Sequence, residues 1–186
     1  MHSRWVPMVG ALVLTVAGCS GSGSDQPKVL PPVPSATVAV TPTPTTAVPV
    51  VVPSAAVPAT PQGAAAFVRF FYGELNSAFQ DGHDERIRRL SDRLCATCNN
   101  YANAVTAGTK ANSRIVGITF GSLEVAAALP KNGITLVTVL GSVPKRQENK
   151  NGVLSTLAAE GPFNDTVALQ RHGKRWLVRA IRFEKR

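Results

Sequence analysis

The sequence predicts an α+β domain in which three helices come first and pack on a curved antiparallel sheet. Two observations carry that prediction. Between Phe67 and Phe79 apolar residues recur at three- and four-residue spacing, the period of one helix face. After Ser113 the period shortens, and runs rich in β-branched residues are punctuated by the turn pairs Asn132-Gly133, Asn151-Gly152 and His172-Gly173.

Thr60-Pro61 starts the first helix, with threonine as N-cap and proline in the first turn, where its missing N–H costs little. The helix is expected to run to about Gln80. Phe67, Phe70, Phe71, Leu75, Ala78 and Phe79 form its broad apolar stripe, with Arg69, Asn76 and Gln80 at the margins or beyond. Asp81-Gly82-His83-Asp84 ends it, and Ile87 and Leu90 mark a short second helix beginning near Asp84. A third is predicted from about Leu94 to Ala107, with Cys95, Cys98, Ala102 and Val105 on one side and Gly108 as its stop.

The sheet is expected to begin with one long strand over 114–127, bent or bulged around Gly121. Asn132-Gly133 predicts a type I′ hairpin leading into a strand from Ile134 to Val143. The polar run 145–150 reads as an exposed loop, and strands over 153–159, 166–171 and 175–183 complete the set.

Upstream, the chain changes character. Arg4, an apolar run from Trp5 to Val16 and the small residues Ala17-Gly18 before Cys19 form a signal peptide over 1–18. The apolar run falls short of the roughly 20 residues a bilayer span needs. Leu14-Thr-Val-Ala-Gly-Cys19 resembles the lipobox of bacterial lipoproteins. That resemblance implies a diacylglyceryl group on Cys19, cleavage before it, and a mature protein held on the outer face of the membrane, where two acyl chains suffice for stable anchoring. Residues 20–61 are rich in Pro, Val, Thr, Ala and Ser and contain no aromatic residue, so they predict a disordered, semi-stiff stalk. Its reach lies between roughly 35 and 130 Å, and its Ser/Thr-Pro composition is that of O-glycosylated stalks. Residues 62–186 then make the single folded domain.

Lys and Arg number 20 against 11 Asp and Glu, and nearly all of that excess lies beyond the stalk. Arg171-His-Gly-Lys-Arg175 and Arg179, Arg182, Lys185 and Arg186 crowd toward the end. For an exported protein nucleic acid is not the expected partner. The first reading of these residues is a solvated strand face and a charged tail, and attraction to anionic lipid or a wall polymer is the alternative.

With Cys19 taken by lipid, Cys95 and Cys98 remain as an even pair in an oxidising compartment. The expectation is a local disulfide clip of modest effect, since so short a loop removes little chain entropy. A thiol-disulfide oxidoreductase remains an alternative, because CxxC at a helix start can activate a thiol; a metal site is a third. The sequence has no Gly-x-Ser-x-Gly elbow, His-Glu-x-x-His helix or phosphate loop, so no catalytic or metal residues and no cofactor are assigned. His83, Asp84 and Glu85 could serve acid-base work, but read more simply as a helix-flanking turn, and His172 sits at a hairpin tip.

The aromatic first helix, the short second helix and the hairpin Val167-Ala-Leu-Gln-Arg-His-Gly-Lys-Arg-Trp-Leu-Val178 together resemble the cone fold of the nuclear-transport-factor-two-like, or SnoaL-like, superfamily. Ala65-Ala-Phe-Val-Arg-Phe-Phe-Tyr72, Leu90-Ser91 and Cys95-Ala-Thr-Cys-Asn-Asn-Tyr101 resemble an actinobacterial lipoprotein domain of unknown function. The first resemblance implies a cavity between sheet and first helix; the second implies a location and a disulfide. Phe71, Tyr101 and Trp176 are the candidate cavity-lining residues for a small apolar ligand. The functional expectation is a non-catalytic module that binds such a ligand, a wall component or another envelope protein. A cone-cavity enzyme is the alternative, and its mark would be an ionisable pair inside a pocket.

Overall fold

The computed structural model describes residues 49–184, so the expected signal peptide, the lipobox with Cys19 and the stalk up to residue 48 lie outside the described residues. A 3-10 turn, Ser54–Ala56, precedes three helices: α1 (Pro61–Asp81), α2 (Glu85–Leu90) and α3 (Ala96–Lys110). Seven strands follow: β1 (Ser113–Val116), β2 (Glu124–Ala127), β3 (Ile134–Val143), β4 (Arg146–Lys150), β5 (Val153–Leu157), β6 (Gly161–His172) and β7 (Arg175–Phe183). They form two antiparallel sheets, a larger one in the order β2-β3-β6-β7 and a smaller one in the order β1-β4-β5. The domain is α+β, with helices packed on antiparallel sheet. No described helix is long and apolar enough to cross a membrane.

Helix α1 starts and stops as its sequence dictates. The Thr60 hydroxyl accepts the Gly63 N–H at 3.1 Å, and Gly82 ends the helix with a left-handed φ of 83°, its N–H reaching the Ala78 carbonyl at 2.8 Å. Helix α3 does not stop at Gly108 as expected; it continues to Lys110 and turns at Asn112, whose φ is 48°. Glycine at 108 serves the approach of the returning chain, since a β-carbon there would lie 3.2 Å from the Ser113 carbonyl oxygen.

Three strand expectations need correction. The single long strand over 114–127 is two short strands in different sheets, β1 paired with β4 and β2 with β3. Gly117, at a φ of 96°, turns the chain out of β1. The Asn76 side chain of α1 then holds 119–120, accepting the N–H groups of Thr119 (3.0 Å) and Phe120 (2.8 Å) and donating to the Phe120 carbonyl (3.0 Å). The polar run 145–150 is not a loop but contains β4, paired on one side with β1 and on the other with β5. None of its side chains is fully buried, so hydrophobic alternation is not required of it. Strand β6, expected from Thr166, begins at Gly161 and pairs along the whole of β3.

The larger sheet turns Val137, Val139, Val167, Leu169 and Val178 onto Phe67, Val68, Phe71, Tyr72 and Leu75 of α1. A bulge between Ala168 and Leu169 in the β6–β7 ladder skips Arg179, so Trp176 and Val178 on one side of it and Ile181 on the other all point inward. Asn132 (φ 52°) and Gly133 (φ 75°) make the expected hairpin between β2 and β3.

The domain also begins earlier than residue 62. Residues 49–60, assigned to the stalk on composition, pack against it: Ala56 is buried, Val50 and Val52 lie on the core, and Trp176 Nε1 donates to the Pro58 carbonyl at 3.1 Å. Arg171 Nη1 donates to the Val57 carbonyl at 2.6 Å. Their composition lacks helical and strand periodicity, but a proline-rich extended chain still offers carbonyls and small apolar side chains to a ready surface. Gly63 permits the approach, because a β-carbon there would lie 2.2 Å from the Pro58 oxygen.

Candidate functional site

A cavity of about 420 Å³ opens at the aromatic end of the core. Phe79 of α1, Tyr101 of α3, Ile115 of β1, Phe120, Phe163 of β6 and Phe183 of β7 supply most of its apolar wall. The rings hold one another in edge contact: Phe79 with Tyr101 (centroids 6.3 Å apart), Tyr101 with Phe120 (5.8 Å) and Phe120 with Phe163 (5.9 Å). Behind this wall the buried Tyr72 ring meets Phe120 edge-on at 5.3 Å and stacks on Phe163 at 6.2 Å.

Polar groups interrupt the wall at Thr119, Arg146, Glu160 and Asp165. Asp165 is 1% exposed, and its Oδ2 accepts the Tyr72 hydroxyl at 2.6 Å. Its other oxygen, Oδ1, is buried without a hydrogen-bond partner in the protein. Arg146 donates through Nη2 to Glu160 at 2.7 Å, while its Nε and Nη1 are buried and unpartnered, as is the Thr119 hydroxyl. A buried polar group left unpaired costs about 1–3 kcal/mol. Three residues of one wall thus hold polar atoms that meet no partner within the protein.

The electrostatics follow from burial. Desolvation pushes the Asp165 carboxyl above its ordinary 3.8, with the Tyr72 hydrogen bond pulling it part of the way back. Burial and then the Asp165 carboxylate raise the Tyr72 phenol; burial, then Asp165 and Glu160, raise that of Tyr101. Both phenols are therefore neutral donors. Because the folded-state pKa of Asp165 lies above the unfolded value, the folded state binds the proton more tightly, and this site's contribution to stability declines as pH rises from 3.8 through the folded pKa. Asp165→Asn removes that dependence while keeping an acceptor for Tyr72. In denaturant melts from pH 4 to pH 7, Asp165→Asn is expected to gain stability on the wild type steadily as pH rises; parallel curves would show that the carboxyl ionises without penalty.

Of the three aromatic residues singled out from sequence, Tyr101 lies on this wall and Phe71 and Trp176 do not. Phe71 is fully buried between α1 and the larger sheet, about 100° around the helix from Tyr72. Trp176 lines a separate cleft of about 60 Å³ beside Val52 and Leu90, beneath the Arg171 guanidinium at 4.9 Å. His83 pairs with Glu85 at 3.1 Å in the turn before α2, and His172 is exposed at its hairpin. Cys95 and Cys98 are joined in a disulfide with Cα atoms 5.2 Å apart, and Cys95 Sγ accepts the Cys98 N–H at the start of α3. Both residues are buried. Among the described residues no group of three metal-ligating side chains converges.

Sequence reasoning missed Tyr72, Thr119, Arg146 and Asp165. Alternation could have found one of them: Phe163, Asp165, Val167 and Leu169 are successive inward positions of β6.

No protein-family model matches the chain, and no curated protein does. Among solved structures it is similar to the intermembrane space region of the chloroplast protein ARC6, at 9% identity and a TM-score of 0.49, over 68% of this chain and 97% of that one. It is similar to Aln2 from a Streptomyces species, at 12% identity and a TM-score of 0.41, over 63% of this chain and 87% of that one. A variant of Rd1NTF2_05 overlaps at 15% identity and a TM-score of 0.33, over 63% of this chain and 96% of that one. These are loose overlaps of architecture; the site is defined by the chain's own residues.

Proposed function

We propose that the domain is a lipid-anchored, extracytoplasmic binding module for a small ligand with an apolar body and a polar head. The carrying observation is the aromatic cavity whose wall holds the unpartnered polar atoms of Thr119, Arg146 and Asp165. Phe79, Phe120 and Phe163 would receive the body. With a side-chain shift that opens these atoms to the cavity, Arg146 would donate to a carbonyl or acidic oxygen and Asp165 would accept from a hydroxyl or amine, so the head would span both. The anchoring rests on the lipobox at Cys19. Incorporation of labelled palmitate in wild type and its loss in Cys19→Ala are the expected results, and an unlabelled wild type would refute the anchor.

Native mass spectrometry of the protein extracted from its own membrane is expected to show a co-purifying molecule. In parallel, the apolar dye N-phenyl-1-naphthylamine should brighten on binding. Ile115→Trp, which fills the cavity, should abolish the response. For the co-purified molecule, Arg146→Met should weaken binding at least about tenfold, since a hydrogen bond to a charged group contributes about 1.5–3 kcal/mol. Dye binding indifferent to Ile115→Trp would remove the cavity from consideration.

A second reading is favoured by Asp165 itself. A desolvated carboxyl on a cavity wall, oriented through Oδ2 by Tyr72 and with Oδ1 unpartnered, has the attributes of a general base. An enzyme would convert the co-purified molecule with wild-type protein and not with Asp165→Asn; a binding module would return it unchanged.

A further inference from the structure

Two adjoining clefts at the place where the described chain begins are lined by basic residues. Val50 and Val52 share a cleft with Arg89, Leu90 and Arg175, and the adjoining cleft adds Lys174 and Trp176. Among the described residues no acidic side chain lines either cleft. Val51 is 77% exposed and Val57 is 42% exposed, so apolar side chains stand out among the basic ones. Two of these basic side chains are held by backbone carbonyls: Arg171 donates to that of Val57 and Arg175 to that of Arg89. By contrast, Arg88, Arg146 and Arg179 are each paired with an acidic side chain.

We infer that this face, centred on Arg171, Lys174 and Arg175 and edged by Val51, docks on an anionic lipid surface. Three observations select that occupant. The charged residues described along the two clefts are all basic, exposed valines sit where shallow insertion among lipid headgroups would bury them, and the chain leading from Cys19 enters the domain at this patch. The first two stand whether or not Cys19 is acylated; the third rests on the proposed anchor. An anchored domain so built would lie on the membrane by this face, leaving the opposite end of β3, where Val143 borders the aromatic cavity, away from the patch.

The experiment separates docking from anchoring by using residues 19–186, the mature chain the lipobox implies, with Cys19→Ser, so that neither an acyl chain nor the apolar run 5–16 contributes. Sedimentation with phosphatidylglycerol/phosphatidylcholine vesicles at low salt is expected to recover this protein, with recovery falling as salt rises and absent from pure phosphatidylcholine. Each near-surface charge removed should lower partitioning about fivefold. Lys174→Gln/Arg175→Gln is thus expected to lose on the order of 25-fold. Arg175→Lys, which keeps the charge, should bind like the parent, and circular dichroism melts establish that each variant is folded. Lys145→Gln/Lys150→Gln, at the far end of β3 and in β4, removes as much charge elsewhere and should bind like the parent. Equal losses from the two double variants would reduce the effect to net charge and overturn the docking face. So would recovery by isolated cell wall with none by anionic vesicles. Failure of palmitate labelling would remove the anchor and leave this result standing.

Discussion

Tyr72→Ala is expected to lower the stability of the domain by about 3–5 kcal/mol, the range for deleting a large buried aromatic side chain. Tyr72 is fully buried, and its ring touches Phe71, Phe120 and Phe163 at centroid distances between 5.3 and 6.2 Å. Its loss removes packing from two sides of the cavity wall at once. Tyr72→Phe isolates the hydroxyl. It keeps the ring contacts but leaves Asp165 Oδ2 without its 2.6 Å donor, a cost of about 1.5–3 kcal/mol for a hydrogen bond to a charged group. Because that bond stabilises the carboxylate rather than the acid, the cost of Tyr72→Phe should be larger at pH 7 than near pH 4. Urea melts of both variants at the two pH values test this; an equal penalty at both would mean that Asp165 stays protonated throughout.

The helices were legible because each carries its own signals. Thr60, Pro61 and Gly82 punctuate α1, and the apolar stripe from Phe67 to Phe79 is the one that meets the sheet. Strand β3 and the hairpin at Asn132-Gly133 were legible for the same reason, since Val137 and Val139 alternate with exposed neighbours. What escaped was structure whose logic is tertiary. Strand β4 is polar throughout because it lies between two short strands whose side chains are half-buried or exposed. The docking of 49–60 depends on donors from Arg171 and Trp176, more than a hundred residues away. At the site, Tyr101 was legible as a half-polar aromatic on a helix. Asp165 was not, because polarity at an inward β6 position reads as a loop residue until Tyr72 is seen opposite it. Charge at an inward position is therefore the feature that marks this site, and it becomes visible only when the strand is extended back to Gly161.

Asn76→Leu should cost about 2–4 kcal/mol and loosen the cavity wall, although Asn76 lies at the margin of the α1 stripe and looks dispensable in sequence. One carboxamide satisfies three backbone groups of the 117–123 crossing between the two sheets: the N–H groups of Thr119 and Phe120 and the Phe120 carbonyl. Thr119 and Phe120 are 7% and 9% exposed, so water can replace only part of what leucine cannot supply. The two orphaned N–H groups and the carbonyl each carry about 1–3 kcal/mol when fully desolvated, and relaxation of the crossing toward the open cavity recovers some of it. Asn76→Asp retains both acceptor contacts but loses the donor and sets a carboxylate against the Phe120 carbonyl, so its loss should grow above the carboxylate's pKa. Hydrogen exchange resolves the mechanism: faster exchange at Thr119 and Phe120, with the β3–β6 ladder unchanged, is expected for Asn76→Leu. Weakened dye binding should accompany it, because Phe120 is the ring that links Tyr101 to Phe163 across the cavity. Unchanged exchange at both amides, with stability within about 0.5 kcal/mol of wild type, the size of an ordinary surface substitution, would mean that the crossing is held by the packing of Phe120 alone.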